Sequence, residues 1–197
     1  AVVTVYCTGM IYASLKPIRQ WHSPLVPRNY LLFAAFSGAV CLTALAALFG
    51  GPAGAPGLLA VLLALSGLFA KLRYWRFIDH TASASTIESA TGLGGLGQVR
   101  MLESPNSQDN YLLKEMGFRI GRKHAARLRR IALLAGFIAP ALLLVLALLA
   151  GLSSGGVLGV PLAIAAAVLA LLGLIAERWL FFAEATHTVT LYYGRVV

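Results

Sequence analysis

Charge is what this sequence has least of. Only 12% of its 197 residues are Asp, Glu, Lys or Arg, and only 7 are acidic. A water-soluble domain carries about a quarter of its residues as charges. The few charges are also clumped: none occurs from Asn29 to Ala70 or from Ile131 to Ala176. Each gap is long enough for two bilayer crossings of about 20 residues. Hydrophobic residues reach 59%, and mean hydropathy is +0.80. These properties exclude a soluble enzyme, a disordered tail and a nucleic-acid-binding domain. The expected fold class is all-α, a polytopic transmembrane helix bundle of about four full helices plus half of a fifth.

Cysteine is equally scarce. Cys7 and Cys41 lie in apolar runs and form no Cys-x-x-Cys or Cys/His cluster. Neither a disulfide, a zinc site nor an iron–sulfur site is expected, and both read as small buried hydrophobes. The chain begins at Ala1, already apolar, with no basic n-region or cleavage motif. The stretch 1–15 is too short for a full crossing at 1.5 Å per residue, so the chain is expected to be a fragment that starts partway through a helix.

What is present reads as helices separated by turns. Helices are predicted over about 1–15, 30–49, 57–77, 131–152 and 161–193, forming a single transmembrane domain. Lys16-Pro17 ends the first, and the Gly/Pro-rich tract 50–57 is a turn. Pro140 is expected to kink the fourth helix. No breaker interrupts the fifth before Tyr193, so its end should protrude from the bilayer. The segment 80–130 is a polar basic loop that becomes helical near Tyr111. The net charge of +9 sits on loop 16–28 and segment 71–130, whereas turns 50–57 and 151–160 carry no charge. The positive-inside bias therefore predicts charged segments in the cytoplasm and both Gly-rich turns outside.

Segments 63–70 and 169–176 match at six of eight positions, and both lead into Arg/Trp/Phe-rich stretches and then His-Thr. This suggests a faint parallel repeat. Lys71 and Glu177 hold equivalent places in it, near the charged end of their helices. Ionisable groups at that depth are costly and are functional candidates. Either they pair, or line a polar pocket, between the two helices, or Lys71 snorkels to the interface while Glu177 pairs locally with Arg178. On the last helix Glu184 can reach His187 at i,i+3. With Arg178, Trp179 and Tyr192 these residues form an aromatic, ionisable interfacial end. That end would suit a quinone headgroup, which needs a hydrogen-bond donor and a proton acceptor beside an apolar channel, or it is simply an aromatic belt.

No histidine sits mid-run, so bis-histidine haem ligation is not expected. Trp21-His22 with Arg19 is the best local cluster for a quinol. Residues 92–97 match Gly-x-Gly-x-x-Gly, but no strand precedes them and no helix with an acidic ribose partner follows, so they read as a polar loop. The run Arg119, Arg122, Lys123, Arg127, Arg129 and Arg130 could dock an acidic partner or anionic lipid, or serve as a topology signal.

Several stretches carry a resemblance: 6–15 (Tyr-Cys-Thr-Gly-Met-Ile-Tyr-Ala-Ser-Leu) with Trp21-His22, 85–94 (Ser-Thr-Ile-Glu-Ser-Ala-Thr-Gly-Leu-Gly), 114–119 (Lys-Glu-Met-Gly-Phe-Arg) and 176–182 (Ala-Glu-Arg-Trp-Leu-Phe-Phe). Through them the sequence resembles the membrane anchor subunits of dimethyl sulfoxide reductase-type molybdoenzymes. The resemblance implies a chain that holds a molybdopterin catalytic subunit and an iron–sulfur electron-transfer subunit at a bacterial inner membrane. It implies no redox cofactor on this chain, with menaquinol or ubiquinol as substrate in anaerobic respiration. Family members continue further on the N-terminal side, so this chain corresponds to their C-terminal half. The family's best-attested quinol-site histidine belongs to the other half and is carried onto no residue here.

The expected function is thus a quinol-oxidising membrane anchor, a non-catalytic subunit of an oxidoreductase complex. Its quinol-site candidates are Arg19, Trp21, His22, Lys71, Arg73, Glu177, Arg178, Glu184 and His187. No catalytic or metal-ligating residue is assigned. The alternatives are a secondary transporter fragment, in which Lys71 and Glu177 would couple ions, and a purely structural anchor.

Overall fold

The computed structural model describes residues 1–81, 85–100, 102–103, 118–152 and 156–193. The helix expected to begin near Tyr111 lies outside the described residues, as do Pro105-Asn106 and residues 114–117. Seven α-helices are described: α1 (Val2–Ala13), α2 (Leu25–Leu48), α3 (Gly54–His80), α4 (Ile87–Thr91), α5 (Arg119–Lys123), α6 (Ala125–Leu149) and α7 (Gly159–Ala183). Short 3-10 turns occupy Gly94–Leu96 and Thr188–Tyr193. Four helices, α2, α3, α6 and α7, are long and apolar enough to cross a membrane. Among the described residues there is no strand, only an isolated bridge between Ile18 and His187. Helices are the form available to such segments, because lipid offers the backbone no partners and every N–H and C=O must be satisfied within the segment.

The four long helices close into a ring. α2 packs on α3, α3 on α6, α6 on α7 and α7 back on α2, while α1 lies outside against α2. α3 and α7 therefore occupy opposite corners. The charged connections gather at one end, where Arg129 at the start of α6 meets Asp79 at the end of α3 and Glu184 just beyond α7. The uncharged turns after α2 and α6 lie at the other end.

Small residues face inward. Ala60, Ala64, Ala132, Ala147, Ala163, Ala166 and Ala170 are fully buried, whereas Leu42, Leu45, Leu62, Leu65, Phe69, Leu142, Leu146, Leu172 and Ile175 are exposed. Lipid is as apolar as leucine, so little drives large side chains inward, and small residues at the contacts let helices approach closely. The closest approach is between α6 and α7. A Cβ added at Gly136 would lie 3.3 Å from the Gly173 carbonyl carbon, and one added at Gly173 would overlap the Gly136 backbone.

α6 does not run as uniform α-helix. Residues Leu134–Ile138 form a π-helical turn just before Pro140. Proline has no N–H to offer Gly136 and its ring crowds that carbonyl, so the local ladder is displaced there.

Three helix ends differ from the sequence expectation. α2 starts at Leu25 rather than near 30, because Pro24 and Pro27 stand in the first turn, where backbone N–H groups have no helical partner in any case. The Ser23 hydroxyl accepts the Leu25 N–H at 3.3 Å. α6 starts at Ala125 rather than near 131, carrying Arg127, Arg129 and Arg130 on its first turns. α7 stops at Ala183 instead of continuing to Tyr193. Arg122 terminates it: its guanidinium donates to the carbonyls of Ala183 at 2.9 Å and Ala185 at 2.7 Å. Gln20 then holds the departing chain through the Thr186 hydroxyl and N–H at 2.6 and 3.2 Å.

Candidate functional site

The charged end of the bundle is built in two layers. In the inner layer Lys71 lies 17 residues past the start of α3, about 26 Å along it at 1.5 Å per residue. Glu177 lies at matching depth on α7. Both are fully buried. The Lys71 ammonium donates to Glu177 Oε1 across the ring diagonal. Arg178 grips the same carboxylate with two bonds, Nε to Oε2 at 2.5 Å and Nη2 to Oε1 at 2.8 Å. The two sequence alternatives for these residues thus merge: Glu177 takes the distant lysine and the adjacent arginine together, and Lys71 does not snorkel.

Two cations share one carboxylate here, so aromatic faces supply the remaining negative potential. Lys71 Nζ sits 4.5 Å from the Tyr74 ring centre and 4.8 Å from that of Trp75. The Arg178 guanidinium lies 4.5 Å from Tyr30 and 4.9 Å from Phe181. The recess between these side chains leaves no room for a water molecule. The inner layer is a closed polar knot, not an open pocket.

The outer layer centres on Arg129. It pairs in bidentate fashion with Asp79 at 2.7 and 2.8 Å, and its Nε donates to Glu184 Oε1 at 2.6 Å. Its guanidinium also lies over the Trp75 ring, 5.2 Å from the centre. Glu184 Oε2 is buried with no hydrogen-bond partner among the described residues. Burial raises the Glu184 carboxyl above the usual carboxylate range, against the opposing pull of Arg129.

Glu184 and His187 do not meet as a helical pair, because α7 has ended before His187. The Val189 N–H donates to His187 Nδ1 at 3.2 Å, which leaves the ring proton on Nε2. Trp21 is placed as a packing residue: it stacks on Phe181 with ring centres 5.4 Å apart and donates Nε1 to the Phe181 carbonyl at 2.9 Å. Arg19 is exposed on the connection between α1 and α2.

His22 has a different setting. Its Nδ1 lies 2.7 Å from the Ala13 carbonyl oxygen. A carbonyl cannot donate, so Nδ1 carries the proton and Nε2 is left as an acceptor. The ring is exposed and lines a cleft of about 380 Å³ between α1 and the start of α2, together with Tyr6, Met10, Ala13, Ser23, Pro24, Pro27 and Arg28. This cleft joins an apolar face to one acceptor and one cation at the charged end of the bundle. Tyr6 and Arg28 were absent from the sequence candidates. Arg28, six residues after His22, was the available signal.

The basic run divides. Arg122 and Arg129 are committed inside the protein, one capping α7 and one tying three segments together. Arg119, Lys123, Arg127 and Arg130 are exposed. Arg73 is exposed as well and lines a separate cleft between α2 and α3. The 92–97 stretch is a capped turn. Gly92 ends α4 at φ 71°, and the next residues form a 3-10 turn with no strand before them.

Comparison with known proteins follows the same boundaries. The family model of the DMSO reductase anchor subunit (DmsC) matches residues 1–194. Over 191 residues the chain is 34% identical to a sulfite dehydrogenase subunit of Allochromatium vinosum, a match that covers 96% of this chain and 56% of that protein. The chain therefore spans little more than half the length of that curated relative. No solved structure matches it. With the match running from α1 through the final 3-10 turn, the chain belongs to the DMSO reductase anchor subunit (DmsC) family.

Proposed function

We propose that this chain is the quinol-oxidising part of the anchor subunit of a molybdopterin oxidoreductase complex in a bacterial inner membrane, serving anaerobic respiration. The family match over residues 1–194 carries this reading, and the His22 cleft gives it a chemical site. Oxidising a quinol, menaquinol or ubiquinol, releases two protons and two electrons. The His22 Nε2 accepts one proton from a quinol hydroxyl. Arg28 stabilises the negative charge that grows on that oxygen as the proton leaves. The second quinol hydroxyl gives its proton to water, to which the cleft is open. Tyr6, Met10 and Pro27 hold the ring. The electrons go to an iron–sulfur cluster of the partner electron-transfer subunit and from there to the molybdopterin subunit.

The other candidates then divide by role. Arg19 and Trp21 border the His22 segment, and Trp21 fixes its backbone against α7. Lys71, Glu177 and Glu184 tie together α3, α6 and α7, Arg178 reaches Tyr30 on α2, and the His187 turn bridges to Ile18 on the α1–α2 connection, so that together they support the helices that carry the cleft. Arg119, Lys123, Arg127 and Arg130 face the partner subunits and dock their acidic surface.

Purification of the full-length protein from its own membranes in mild detergent, with metal analysis, tests the assembly. Co-purifying molybdenum or tungsten together with iron is expected, and a lone metal-free protein would overturn the reading. In the assembled complex His22→Gln should lower quinol oxidation about 100-fold, the usual worth of a positioned base. Activity driven by an artificial dye that feeds the catalytic subunits directly should stay unchanged. Equal loss with both donors would remove His22 from the site.

A further inference from the structure

A second cleft, of about 470 Å³, opens on the outer surface between α2 and α3, lined by Leu25, Arg73, Arg76, Phe77 and His80. On α3 these residues follow a helical stripe, with 73, 76, 77 and 80 at spacings of three, four and seven. Arg73, Arg76 and His80 are exposed. Neither guanidinium meets a carboxylate among the described residues. The nearby acid Asp79 is already taken by both terminal nitrogens of Arg129. The His80 Nδ1 lies 2.9 Å from the Arg76 carbonyl oxygen, so it carries the ring proton and fixes the imidazole against the helix.

Depth narrows the ligand. Arg73 lies 19 residues beyond the start of α3, about 28 Å along it, and a hydrocarbon core is about 30 Å thick. Arg73 thus stands at the edge of the core, and Arg76 and His80 stand one and two turns further out, at headgroup level. Leu25 and Phe77 line the cleft at headgroup level, and below Arg73 the same stripe of α3 continues toward the core through Phe69, Leu65 and Leu62, all exposed. The cleft therefore offers two guanidiniums that no carboxylate among the described residues neutralises, at phosphate height above a surface suited to an acyl chain.

We propose that this cleft is a binding site for an anionic phospholipid, whose phosphate is held by Arg73 and Arg76 and whose chain descends along the exposed face of α3 past Phe69 and Leu65. Two guanidiniums favour a phosphate ester over a neutral quinol ring, because only the ester gives paired acceptors with charge. A zwitterionic lipid carries the same phosphate but brings an ammonium group beside two cations, so net-anionic headgroups are preferred. The site is independent of the His22 cleft and of the quinol reading.

The test uses the full-length protein in nanodiscs of phosphatidylcholine alone or with added phosphatidylglycerol, followed by native mass spectrometry of the lipid retained after detergent release. Wild-type protein should retain phosphatidylglycerol selectively. Arg73→Gln with Arg76→Gln should weaken that retention about fivefold for each cation removed. Arg73→Lys with Arg76→Lys should lose less, and Lys16→Gln, an exposed cation outside the cleft, should lose nothing. Retention unchanged in the double glutamine variant would overturn the proposal. So would inorganic phosphate at millimolar concentration displacing the lipid, because the site would then be one for a soluble anion.

Discussion

At the scale of single residues, the buried knot sets an unequal dependence on its members. Removing Glu177 leaves Lys71 and Arg178 as adjacent cations with only aromatic faces for company. Breaking a buried pair from one side costs about 3–5 kcal/mol, because the partner is left uncompensated. Removing Lys71 leaves a complete Arg178–Glu177 fork. Glu177→Gln should therefore lower the thermal unfolding midpoint much more than Lys71→Met, measured in detergent or nanodiscs. Equal losses from the two variants would mean that Arg178 does not hold the carboxylate as described.

Glu184 should make stability depend on pH. Its carboxyl is raised in the folded protein, chiefly by burial. The folded state thus binds that proton more tightly than the unfolded chain does. The corresponding stability is present in full below the unfolded carboxylate range and is lost as pH rises through the raised folded value. An amide at this position cannot titrate. The unfolding midpoint of the wild type should fall across that window, while Glu184→Gln should not share the fall. Parallel pH profiles for the two proteins would assign the slope to another group.

At the scale of elements, the tightest constraint is the backbone contact of α6 with α7. A methyl at Gly173 has nowhere to go except into the Gly136 backbone, so the helices must separate. Gly173→Ala should cost about 1–3 kcal/mol, the usual range for overpacking. Gly38 on α2 is the contrast: a Cβ there meets nothing within 4 Å. Gly38→Ala should hold or raise stability by about 0.5–1 kcal/mol through helix propensity. Thermal unfolding of both variants checks the pair, and a stabilised Gly173→Ala would refute the contact.

What the sequence made legible follows from how far each cause acts along the chain. The transmembrane helices were legible because uncharged length is a local property. Lys71 and Glu177 stood out because each interrupts an apolar run at matching depth. The end of α7 was hidden because its terminator is Arg122, 61 positions away, and nothing in the run from 161 to 193 breaks a helix. Arg129 was hidden among other arginines for the same reason, since its acids are 50 and 55 positions distant. The His22 cleft was half legible. The histidine was a candidate, but the place of Arg28 and Tyr6 beside it depends on how α1 leans on α2.

At the scale of the whole molecule, one end of the bundle is charged and the other is not. Loop 14–24, residues 118–124 and the 184–193 turn share the charged end, through contacts such as Gln20 with Thr186 and Arg122 with the carbonyl of Ala185. The turn at 49–53 and residues 150–152 and 156–158 share the opposite end. Among the described residues, the Lys and Arg that lie outside the membrane-spanning helices are all on one side, the side that the positive-inside bias assigns to the cytoplasm. Single-cysteine labelling can read that orientation once Cys7 and Cys41 have been replaced by alanine. Lys123→Cys and Arg127→Cys, both exposed, should react with an impermeant maleimide only in inside-out vesicles. Gly51→Cys and Val157→Cys, at the uncharged end with Val157 88% exposed, should react only in right-side-out vesicles. The reverse pattern would place the charged end, the His22 cleft and the docking arginines outside the cytoplasm, and would move the proposed catalytic partners with them. Labelling of one pair from both sides would instead show that the four helices do not all cross.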